Sequence, residues 1–426
     1  MAASFADLVG RRVGIYGLGV EGRASLAKLT AMGITPVLVD DRPDPAGPPG
    51  VLPTHGGGLE ALGELDVVLK APGISRYDEA IVDLASRGVE VRGGLGLWLA
   101  GVDPSTVICV TGTKGKSTTT SVLAHLLGGL GIDVLLAGNI GVVPWGPAVA
   151  PAQLTVVETS SFQVTDLEVG PSLVAVTSLG QDHLDWHRTL ERYHDDKLSL
   201  LSLDGVTHGL VSTQPALLEA VRSRNLEVEL CPPGALDVDL TERLGLVGAH
   251  NVANVAVARR LLEHQLGPQA PDRLLEAAVG FAPLESRFCR LEPLGGIEVI
   301  EDSLATNPLP TIAGIESLGD RRVALLVGGQ DRGVDYQPLG DALAQRHAPT
   351  LLVAMPDNGA RIAEACSAGN VEVVQVADLD EGVEVALGWA APDGVVLLSP
   401  AAPSFGRFAN YADRAAQFRA AIDARR

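Results

Sequence analysis

The chain has 426 residues, more than a single hydrophobic core usually organises, so about three domains are expected. Hydrophobic residues make up 46% of it and aromatic residues only 4%, which favours an aliphatic interior and an α/β fold with buried parallel strands. The formal net charge of −20 argues against a nucleic-acid-binding or anionic-membrane surface, because either needs clustered Lys and Arg.

Neither a zinc site nor a disulfide framework is expected from the four cysteines, because they are far apart and no Cys-x-x-Cys pair occurs. The N-terminal residues lack the uninterrupted apolar region of a signal peptide, and no run of about 18 apolar residues occurs. We therefore expect a cytoplasmic protein with no nucleic-acid partner and no membrane partner.

The first predicted domain, residues 1–102, opens as a Rossmann-like βαβ unit. A strand at 13–16 enters the turn Gly17-x-Gly19-x-x-Gly22, and a second strand ends in Asp40-Asp41-Arg42 about 20 residues later, where such folds contact a ribose. A further strand ends in the loop Ala71-Pro72-Gly73. Taken alone, the glycine turn is typical of a dinucleotide-dependent oxidoreductase, or of a packing turn that binds no phosphate.

The second predicted domain, residues 103–283, begins with an apolar strand that enters a Gly-rich turn, ICVTGTKGKSTTT at 108–120. Backbone N–H groups of such a turn and of the following helix can bind phosphate oxygens, Lys116 adds a positive charge, and Ser117 can reach Mg²⁺. The loop is shorter than the general nucleotide-binding loop. We predict ATP and Mg²⁺ as cofactors; the alternative is a strand-to-helix turn with no ligand.

Two further apolar segments of this domain, residues 155–163 and 172–187, carry polar residues at their C-terminal ends. In an open parallel sheet, ligands bind where the strands end, so Glu158 and His183 are expected at the same edge as the ATP loop. With Ser117 they suit a magnesium and phosphate site. Seen alone, Glu158 could be a helix-capping carboxylate and His183 a structural histidine.

The residue pattern leaves the roles of Lys197 and two asparagines open. Lys197 lies among acidic residues in an apparent helix that begins at Tyr193, where a lysine is ordinarily a solvated surface charge. Asn251 and Asn254 share one face of a helix predicted at 248–262, and they could read an adenine edge or cap the helix.

The third predicted domain, residues 284–426, again contains apolar strands that end in loops. Gly328-Gly329 and the loop from Ser399 to Ser404 suit a small anionic ligand. Arg332 is a candidate partner for a carboxylate through two parallel hydrogen bonds, although a solvated loop arginine is the alternative.

A series of motifs along nearly the whole chain resembles those of the Mur ligases, the ATP-dependent amide ligases of peptidoglycan precursor synthesis. In order, the motifs are GTKGKST, GNIG, ETSSFQ, DHLDWH, HNVAN, DSLATNP, GGQDRG and SPAAPSFGRFANY. The resemblance implies a three-domain architecture: a Rossmann-like N-terminal domain, a central P-loop ATPase domain with a parallel sheet, and a Rossmann-like C-terminal domain. It is closest to the members that add glutamate to UDP-N-acetylmuramoyl-L-alanine through an acyl phosphate.

The resemblance also implies roles for the matched residues at the nucleotide. Those that would hold the ATP phosphates are Gly112, Thr113, Lys114, Gly115, Lys116, Ser117 and Thr118. Those that would contact the rest of the nucleotide are Asn251, Asn254, Arg287 and Asp302. The metal ligands would be Ser117, Glu158, His183 and a carbamylated Lys197. The catalytic residues would be Lys116, His183 and Lys197.

Two further groups of residues match the substrate-binding positions of the family. Those that would bind the UDP substrate are Gly17, Gly19, Val20, Glu21, Asp41, Arg42, Ala71, Pro72, Gly73 and Asn139. Those that would hold the incoming glutamate are Thr306, Arg332, Ser404 and Tyr411.

The glutamate-binding positions depart from the pattern of members that add D-glutamate. Those members usually carry a lysine where this chain has Leu304, and another where it has Arg332; the motif around Arg287 also differs, since Cys289 replaces a glutamate. GLGVEGRAS, ETSSFQ and DRGVDY are similar to variant members that add L-glutamate and depend on a separate epimerase. We therefore favour L-glutamate, with D-glutamate as the alternative.

Other classes of protein remain as alternatives. A nicotinamide-dependent oxidoreductase would explain the first glycine turn but gives the ATP loop no role. A non-catalytic nucleotide-binding protein on a degenerate ligase fold would explain Leu304 and Cys289. A folylpolyglutamate synthase shares the ATP loop, but the Rossmann-like segment ahead of that loop argues against it.

Overall fold

The computed structural model describes residues 2–41, 47–367 and 369–426, so the predicted UDP contact Arg42 lies outside the described residues. The chain forms two compact units, the first comprising Met1–Arg243 and Val252–Phe281, the second Leu244–Asn251 and Ala282–Arg426. Three sheets flanked by helices confirm the predicted α/β class. The predicted domain boundaries after residues 102 and 283 stay predictions.

The first sheet is wholly parallel and lies in the first unit. Its strands are β1 (Val13–Tyr16), β2 (Val37–Val39), β3 (Val67–Lys70) and β4 (Glu90–Arg92). They are ordered β2-β1-β3-β4, which places the ends of β1 and β3 side by side. The accompanying helices are α1 (Val20–Ala31), α2 (Leu59–Leu62), α3 (Glu79–Ser86) and α4 (Gly94–Leu99).

The second sheet also lies in the first unit and is wholly parallel. Its strands are β5 (Val107–Thr111), β6 (Val134–Gly138), β7 (Leu154–Glu158), β8 (Leu173–Val176), β9 (His208–Ser212) and β10 (Glu229–Cys231). In the order β10-β9-β8-β5-β7-β6, strand β5 lies between β7 and β8. The C-terminal ends of these three strands therefore meet at one edge, where open parallel sheets bind ligands.

Eight helices accompany the second sheet in the described part of the chain. They are α5 (Lys116–Gly129), α6 (Ser161–Val164), α7 (Leu184–His187), α8 (Leu190–Leu198), α9 (Pro215–Ser223), α10 (Ala235–Arg243), α11 (Ala249–Leu266) and α12 (Pro271–Ala277). The prediction that Tyr193 begins a helix was wrong, because α8 begins at Leu190, after Thr189 accepts a hydrogen bond from the Arg192 N–H (3.1 Å). Lys197 thus lies in the last turn of α8.

The third sheet lies in the second unit and is parallel except at one edge. Its strands are β11 (Cys289–Arg290), β12 (Glu298–Glu301), β13 (Val323–Val327), β14 (Thr350–Ala354), β15 (Val371–Gln375) and β16 (Val395–Leu398). They are ordered β11-β12-β16-β13-β14-β15, with β11 antiparallel to β12. The helices are α13 (Pro308–Ser317), α14 (Gln337–Ala344), α15 (Gly359–Ala365), α16 (Leu379–Ala390) and α17 (Tyr411–Asp423).

Buried aliphatic side chains explain why this third sheet is covered on both faces. Successive residues of a strand point to opposite faces, so Leu326 and Val353 pack in one hydrophobic cluster while Leu325 and Leu352 pack in another. Such near-continuous apolar strands are typical of parallel sheets that helices cover on both sides. Among the described residues, no helix is both long and apolar enough to span a bilayer.

Candidate active site

The ATP loop connects the buried strand β5 to α5, and two glycines determine its conformation. Gly112 has a φ of 154° and Gly115 a φ of 85°, a region of the backbone map that favours glycine. A Cβ on Gly115 would lie 2.2 Å from Oδ1 of Asn254. Only glycine therefore fits here without moving the asparagine that the sequence places near the adenine.

Hydrogen bonds hold the rest of this loop against the end of β8. The Thr113 N–H donates to the Ser178 carbonyl (2.9 Å) and the Lys114 N–H donates to Ser178 Oγ (2.8 Å). Thr113 Oγ1 accepts from the Gly180 N–H (3.0 Å) and lies 2.9 Å from the Tyr193 hydroxyl. The protein's own hydrogen bonds thus hold the loop at the N-terminus of α5, where turns of this kind bind anions.

Lysines 114 and 116 bring positive charge to the loop. Lys114 Nζ lies 3.4 Å from a carboxylate oxygen of Asp182. Burial alone would raise the pKa of Asp182, but Lys114, His183 and Lys116 together lower it to about 2. Ser117, the first-turn serine of α5, is buried, and Thr118 is half-buried.

Glu158 ends β7 and is completely buried. Asn139 Nδ2 donates to its Oε1 (2.7 Å), whereas Oε2 is buried without a hydrogen-bond partner in the described structure. A buried unpaired carboxylate oxygen is costly unless a cation or donor meets it. Asn139, which the sequence assigns to the muramoyl group, thus orients a predicted metal ligand.

His183 lies in the loop before α7 with a φ of 51°, and its ring packs edge-on against Phe162, with 4.8 Å between ring centroids. Burial lowers the pKa of His183 to about 4, against the opposing effect of Asp182 and with a contribution from the nearby lysines. The imidazole is therefore neutral at pH 7, which is the form that ligates a metal ion.

Lys197 is buried, contrary to the surface position that its acidic neighbours suggest. Its Nζ lies 3.4 Å from Thr111 Oγ1 and 5.0 Å from the centroid of the Tyr193 ring. Burial, followed by the charge of Lys116, lowers its pKa well below the ordinary value, while Asp182 and Glu158 oppose that shift. A neutral amine is the form that can react with CO₂ to give a carbamate.

The residues present fit a divalent cation at this edge of the second sheet. The unpaired oxygen of Glu158 and the neutral imidazole of His183 are suitable donors, and a carbamate on Lys197 would add oxygens. Within the described ranges, no group of three His, Cys, Asp or Glu side chains stands ready to hold a metal.

The two asparagines of α11 have separate environments. Thr119 Oγ1 of α5 lies 3.4 Å from the main-chain carbonyl of Asn254, whose side chain faces Gly115. Asn251 Nδ2 donates to the Val247 carbonyl (2.8 Å). The structure therefore brings Asn254 to the ATP loop, and it joins the Asn251 side chain to the main chain just before α11.

Several of the predicted UDP-binding residues lie at the C-terminal ends of strands of the first sheet, whereas Asn139 follows β6 of the second sheet. Gly17 has a φ of 91°, and a Cβ there would lie 2.7 Å from that of Ala71, so the glycine turn and the loop 71–73 are adjacent. Asp41 accepts from Thr54 through both its N–H (2.7 Å) and its hydroxyl (2.5 Å). Val20 is exposed just after Gly19, the N-cap of α1.

Glu21 connects this region to the second sheet. One of its carboxylate oxygens accepts from Gln163 Nε2 (2.6 Å), and burial raises its pKa to about 7. Pro72, in the adjacent loop, accepts from Trp186 Nε1 (3.1 Å). The predicted UDP loop and the DHLDWH segment are therefore in direct contact.

Comparison with known proteins identifies the family. The Mur ligase middle domain matches residues 110–211, and the Mur ligase glutamate ligase domain matches 286–402. The UDP-N-acetylmuramoyl-L-alanine--L-glutamate ligase of Salinispora tropica is 36% identical over 98% of this chain and 98% of the relative, and that of a Micromonospora species is 36% identical over 98% and 97%. The chain belongs to the Mur ligase family.

Solved structures of other Mur ligases share the fold. MurF ligase of Thermotoga maritima, solved in complex with ADP, aligns over 99% of this Mur ligase and 97% of its own chain, with a TM-score of 0.57 and 14% sequence identity. The predicted multi-domain Mur ligase architecture is thereby confirmed.

The second unit of this Mur ligase holds Arg287 and Asp302. Asp302 is buried, and its carboxylate accepts from the Phe288 N–H (3.1 Å) and from Ser399 Oγ (2.8 Å). Burial raises its pKa to about 7, against these hydrogen bonds and the charge of Arg287. Asp302 thus ties the end of β12 to the end of β16.

The positions predicted for glutamate are distributed over neighbouring loops of the second unit. Ser404 lines a cavity of about 160 Å³ together with Gly328, Gly329 and Arg407. Arg332 is exposed, with its guanidinium carbon 6.0 Å from the Phe405 ring centroid.

The other two predicted glutamate contacts lie on loop-to-helix segments of the same unit. The half-buried Thr306 donates its N–H to the Leu304 carbonyl (2.9 Å), and the exposed Tyr411 begins α17. The structure describes no hydrogen bond that joins the four predicted residues to one another.

Sequence reasoning missed a buried histidine and its partners, which lie on the same segments as the predicted metal ligands. His187 lies between Ser161 and Asp196, and Tyr77 contacts Asp196 in turn. The only signal in the sequence is that His187 follows His183 by four positions and that Asp196 precedes Lys197. Contacts between residues as distant as 77 and 196 cannot be obtained from spacing.

Proposed function

We propose that this Mur ligase uses ATP to join L-glutamate to the alanyl carboxylate of UDP-N-acetylmuramoyl-L-alanine, with release of ADP and phosphate. The observation that carries the proposal is the near-full-length similarity, at 36% identity, to relatives named for this reaction. The shaped loop between β5 and α5 supports ATP as the phosphoryl donor, and the neighbouring donor set supports Mg²⁺.

In the first step, the alanyl carboxylate attacks the γ-phosphate of ATP, which gives an acyl phosphate and ADP. The N–H groups at the start of α5 and the ammonium of Lys116 would hold the phosphates and offset the charge that spreads over the transferring group. The ligands of Mg²⁺ would be Ser117, Glu158, His183 and a carbamylated Lys197. When bound, the ion would offset the negative charge of the phosphate oxygens.

In the second step, the neutral glutamate amine attacks the acyl carbon, its nitrogen releases one proton to solvent, and phosphate leaves with the electron pair of the broken C–O bond. Arg332 and Ser404 would hold the glutamate carboxylates. The residues that hold the acyl phosphate must also keep water away, because hydrolysis would waste it.

L-glutamate is favoured because both named relatives add it and because Leu304 and Arg332 replace the lysines of the D-glutamate pattern. A planar guanidinium holds a carboxylate in a different geometry from an ammonium, so these changes would re-aim the amino acid. An epimerase that inverts the new glutamate residue would then be a partner in the same pathway. We place this Mur ligase in the cytoplasm.

An omission experiment tests the proposal. We expect ADP and phosphate to form at equal rates only when ATP, Mg²⁺, UDP-N-acetylmuramoyl-L-alanine and glutamate are all present, and mass spectrometry to detect the amide product. ATP binding without substrate-dependent phosphate release and without an amide product would contradict the ligase assignment and favour a non-catalytic nucleotide-binding protein.

A further inference from the structure

His187 is a buried imidazole whose two nitrogens both make short contacts. Nδ1 lies 2.5 Å from Asp196 Oδ2, and Nε2 lies 2.9 Å from Ser161 Oγ. The His187 side chain is fully buried and that of Asp196 is 13% exposed. The ring therefore has one fixed orientation, with a charged partner on one side and a hydroxyl on the other.

Each segment that this imidazole joins carries one of the predicted metal-site residues. Ser161 begins α6, three residues after Glu158. His187 ends α7, the short helix that His183 precedes, and Asp196 immediately precedes Lys197 on α8. A single side chain thus fixes the separation of the three segments.

Asp196 also connects this group to the predicted UDP loop. Its second oxygen accepts from the Tyr77 hydroxyl (2.5 Å). Nearby, Ser75 Oγ donates to the Trp186 carbonyl (2.8 Å), and Trp186 Nε1 donates to the Pro72 carbonyl (3.1 Å). The segment 72–77 is therefore hydrogen-bonded to both α7 and α8.

We propose that His187 is a positioning residue for the metal site, and that Tyr77 couples the UDP-binding loop to that site through Asp196. This inference rests on the proposed function for the identity of the UDP substrate. Its first test measures metal binding and does not use that substrate. Polar partners that orient metal ligands typically contribute about 10- to 100-fold to metal affinity or activity.

The Ser161-His187-Asp196 order also resembles that of a hydrolytic triad, but a nucleophilic role does not fit. Ser161 is only 3% exposed, and its hydroxyl lies against the buried His187 ring, so it is closed to a substrate carbonyl. The hydroxyl instead serves as a fixed partner of the imidazole.

Titration of Mn²⁺ into the full chain with ADP, followed by electron paramagnetic resonance, tests the first part without any turnover. Ser161→Ala should weaken Mn²⁺ binding about tenfold or more, and Ser161→Thr, which keeps the hydroxyl, should recover most of the loss. Ser25→Ala is the matched control, because Ser25 Oγ is also buried and accepts from a ring nitrogen, Nε1 of Trp145, at 3.0 Å. Equal Mn²⁺ affinity in Ser161→Ala and Ser25→Ala would overturn the proposal.

His187→Gln provides a second variant if Ser161→Ala unfolds, and it should likewise weaken Mn²⁺ binding while its thermal unfolding stays cooperative. For the second part, UDP-N-acetylmuramoyl-L-alanine should tighten Mn²⁺ binding in the wild type, because coupling between two binding sites is reciprocal. Tyr77→Phe should remove that gain in Mn²⁺ affinity. Unchanged coupling in Tyr77→Phe would contradict the role of Tyr77. Failure of amide synthesis with intact Mn²⁺ effects would count against the proposed function alone.

Discussion

Asn139 and Glu158 form a half-satisfied pair at the edge of the second sheet: the asparagine amide donates to one carboxylate oxygen at 2.7 Å, and the other oxygen is buried without a hydrogen-bond partner in the described structure. Native proteins rarely leave a charged group in this state unless it has a function. We therefore propose that a cation binds the second oxygen of Glu158.

Glu158→Gln should abolish most ligase activity but should not lower the stability of the metal-free protein. Glutamine can still accept from Asn139 through Oε1, and it removes a buried charge that is costly when unpaired. We expect an unfolding temperature equal to or above that of the wild type in a chelating buffer, and no further rise on addition of Mg²⁺ and ADP. A variant with wild-type activity would show that Glu158 is not a metal ligand.

Gly115→Ala should impair ATP binding far more than its backbone strain explains. A non-glycine residue in the left-handed region costs about 1 to 2 kcal/mol, and the new Cβ would also meet Asn254 Oδ1. Displacement of the loop by about 1 Å can reduce the rate about 100-fold. The KM for ATP and kcat of the variant measure this effect.

Gly131→Ala is the control for that substitution. Gly131 has a φ of 88°, close to the 85° of Gly115, but a Cβ added there would meet no other atom within 4 Å. The variant should lose similar stability and keep its KM for ATP. Equal kinetic losses in the two variants would show that strain, rather than the phosphate cradle, is responsible.

Arg332→Gln should raise the KM for glutamate and leave the KM for ATP unchanged. Hydrogen bonds to charged groups contribute about 1.5 to 3 kcal/mol, so the increase should be about 10-fold or more. Arg322→Gln is the control, since Arg322 also packs over an aromatic ring, that of Trp389 at 4.1 Å, but precedes β13 while Arg332 follows it. If both variants keep the wild-type KM for glutamate, Arg332 does not contact the amino acid.

Asp302→Asn should change how stability depends on pH. Burial raises the pKa of Asp302 to about 7 in the folded protein, so this group contributes stability that is complete below the unfolded pKa of about 4 and is lost as pH rises through 7. Asparagine does not ionise, so the variant does not lose stability in this way. Its unfolding temperature, relative to the wild type, should therefore increase between pH 5 and pH 8, and a constant difference would contradict the shifted pKa.

The strands and the ATP loop could be predicted from local patterns. The apolar run before Gly112 and the loop's glycines and hydroxyls indicate a strand, a turn and a helix, and the structure has β5 and α5 there. The start of α8 was placed three residues too late, although Thr189 is a residue type that commonly caps a helix N-terminus and does so here.

Burial of Lys197 and the contacts of His187 could not be predicted from local sequence. Charged residues flank Lys197, so its pattern is that of a surface position, yet Thr111 of β5 and the Tyr193 ring lie beside its buried amino group. Only tertiary packing decides such cases. The family resemblance indicated a role for Lys197 because it matches positions of this sequence to positions in the family's motifs. His187 was not among the residues to which it assigned a role.

The most direct test of the central claim is amide formation with ATP, Mg²⁺ and UDP-N-acetylmuramoyl-L-alanine, measured in parallel with L-glutamate and with D-glutamate. The account predicts phosphate release and a product of the expected mass with L-glutamate, and neither with D-glutamate. Product formation with D-glutamate alone would contradict it and leave Leu304 and Arg332 without a role in chirality.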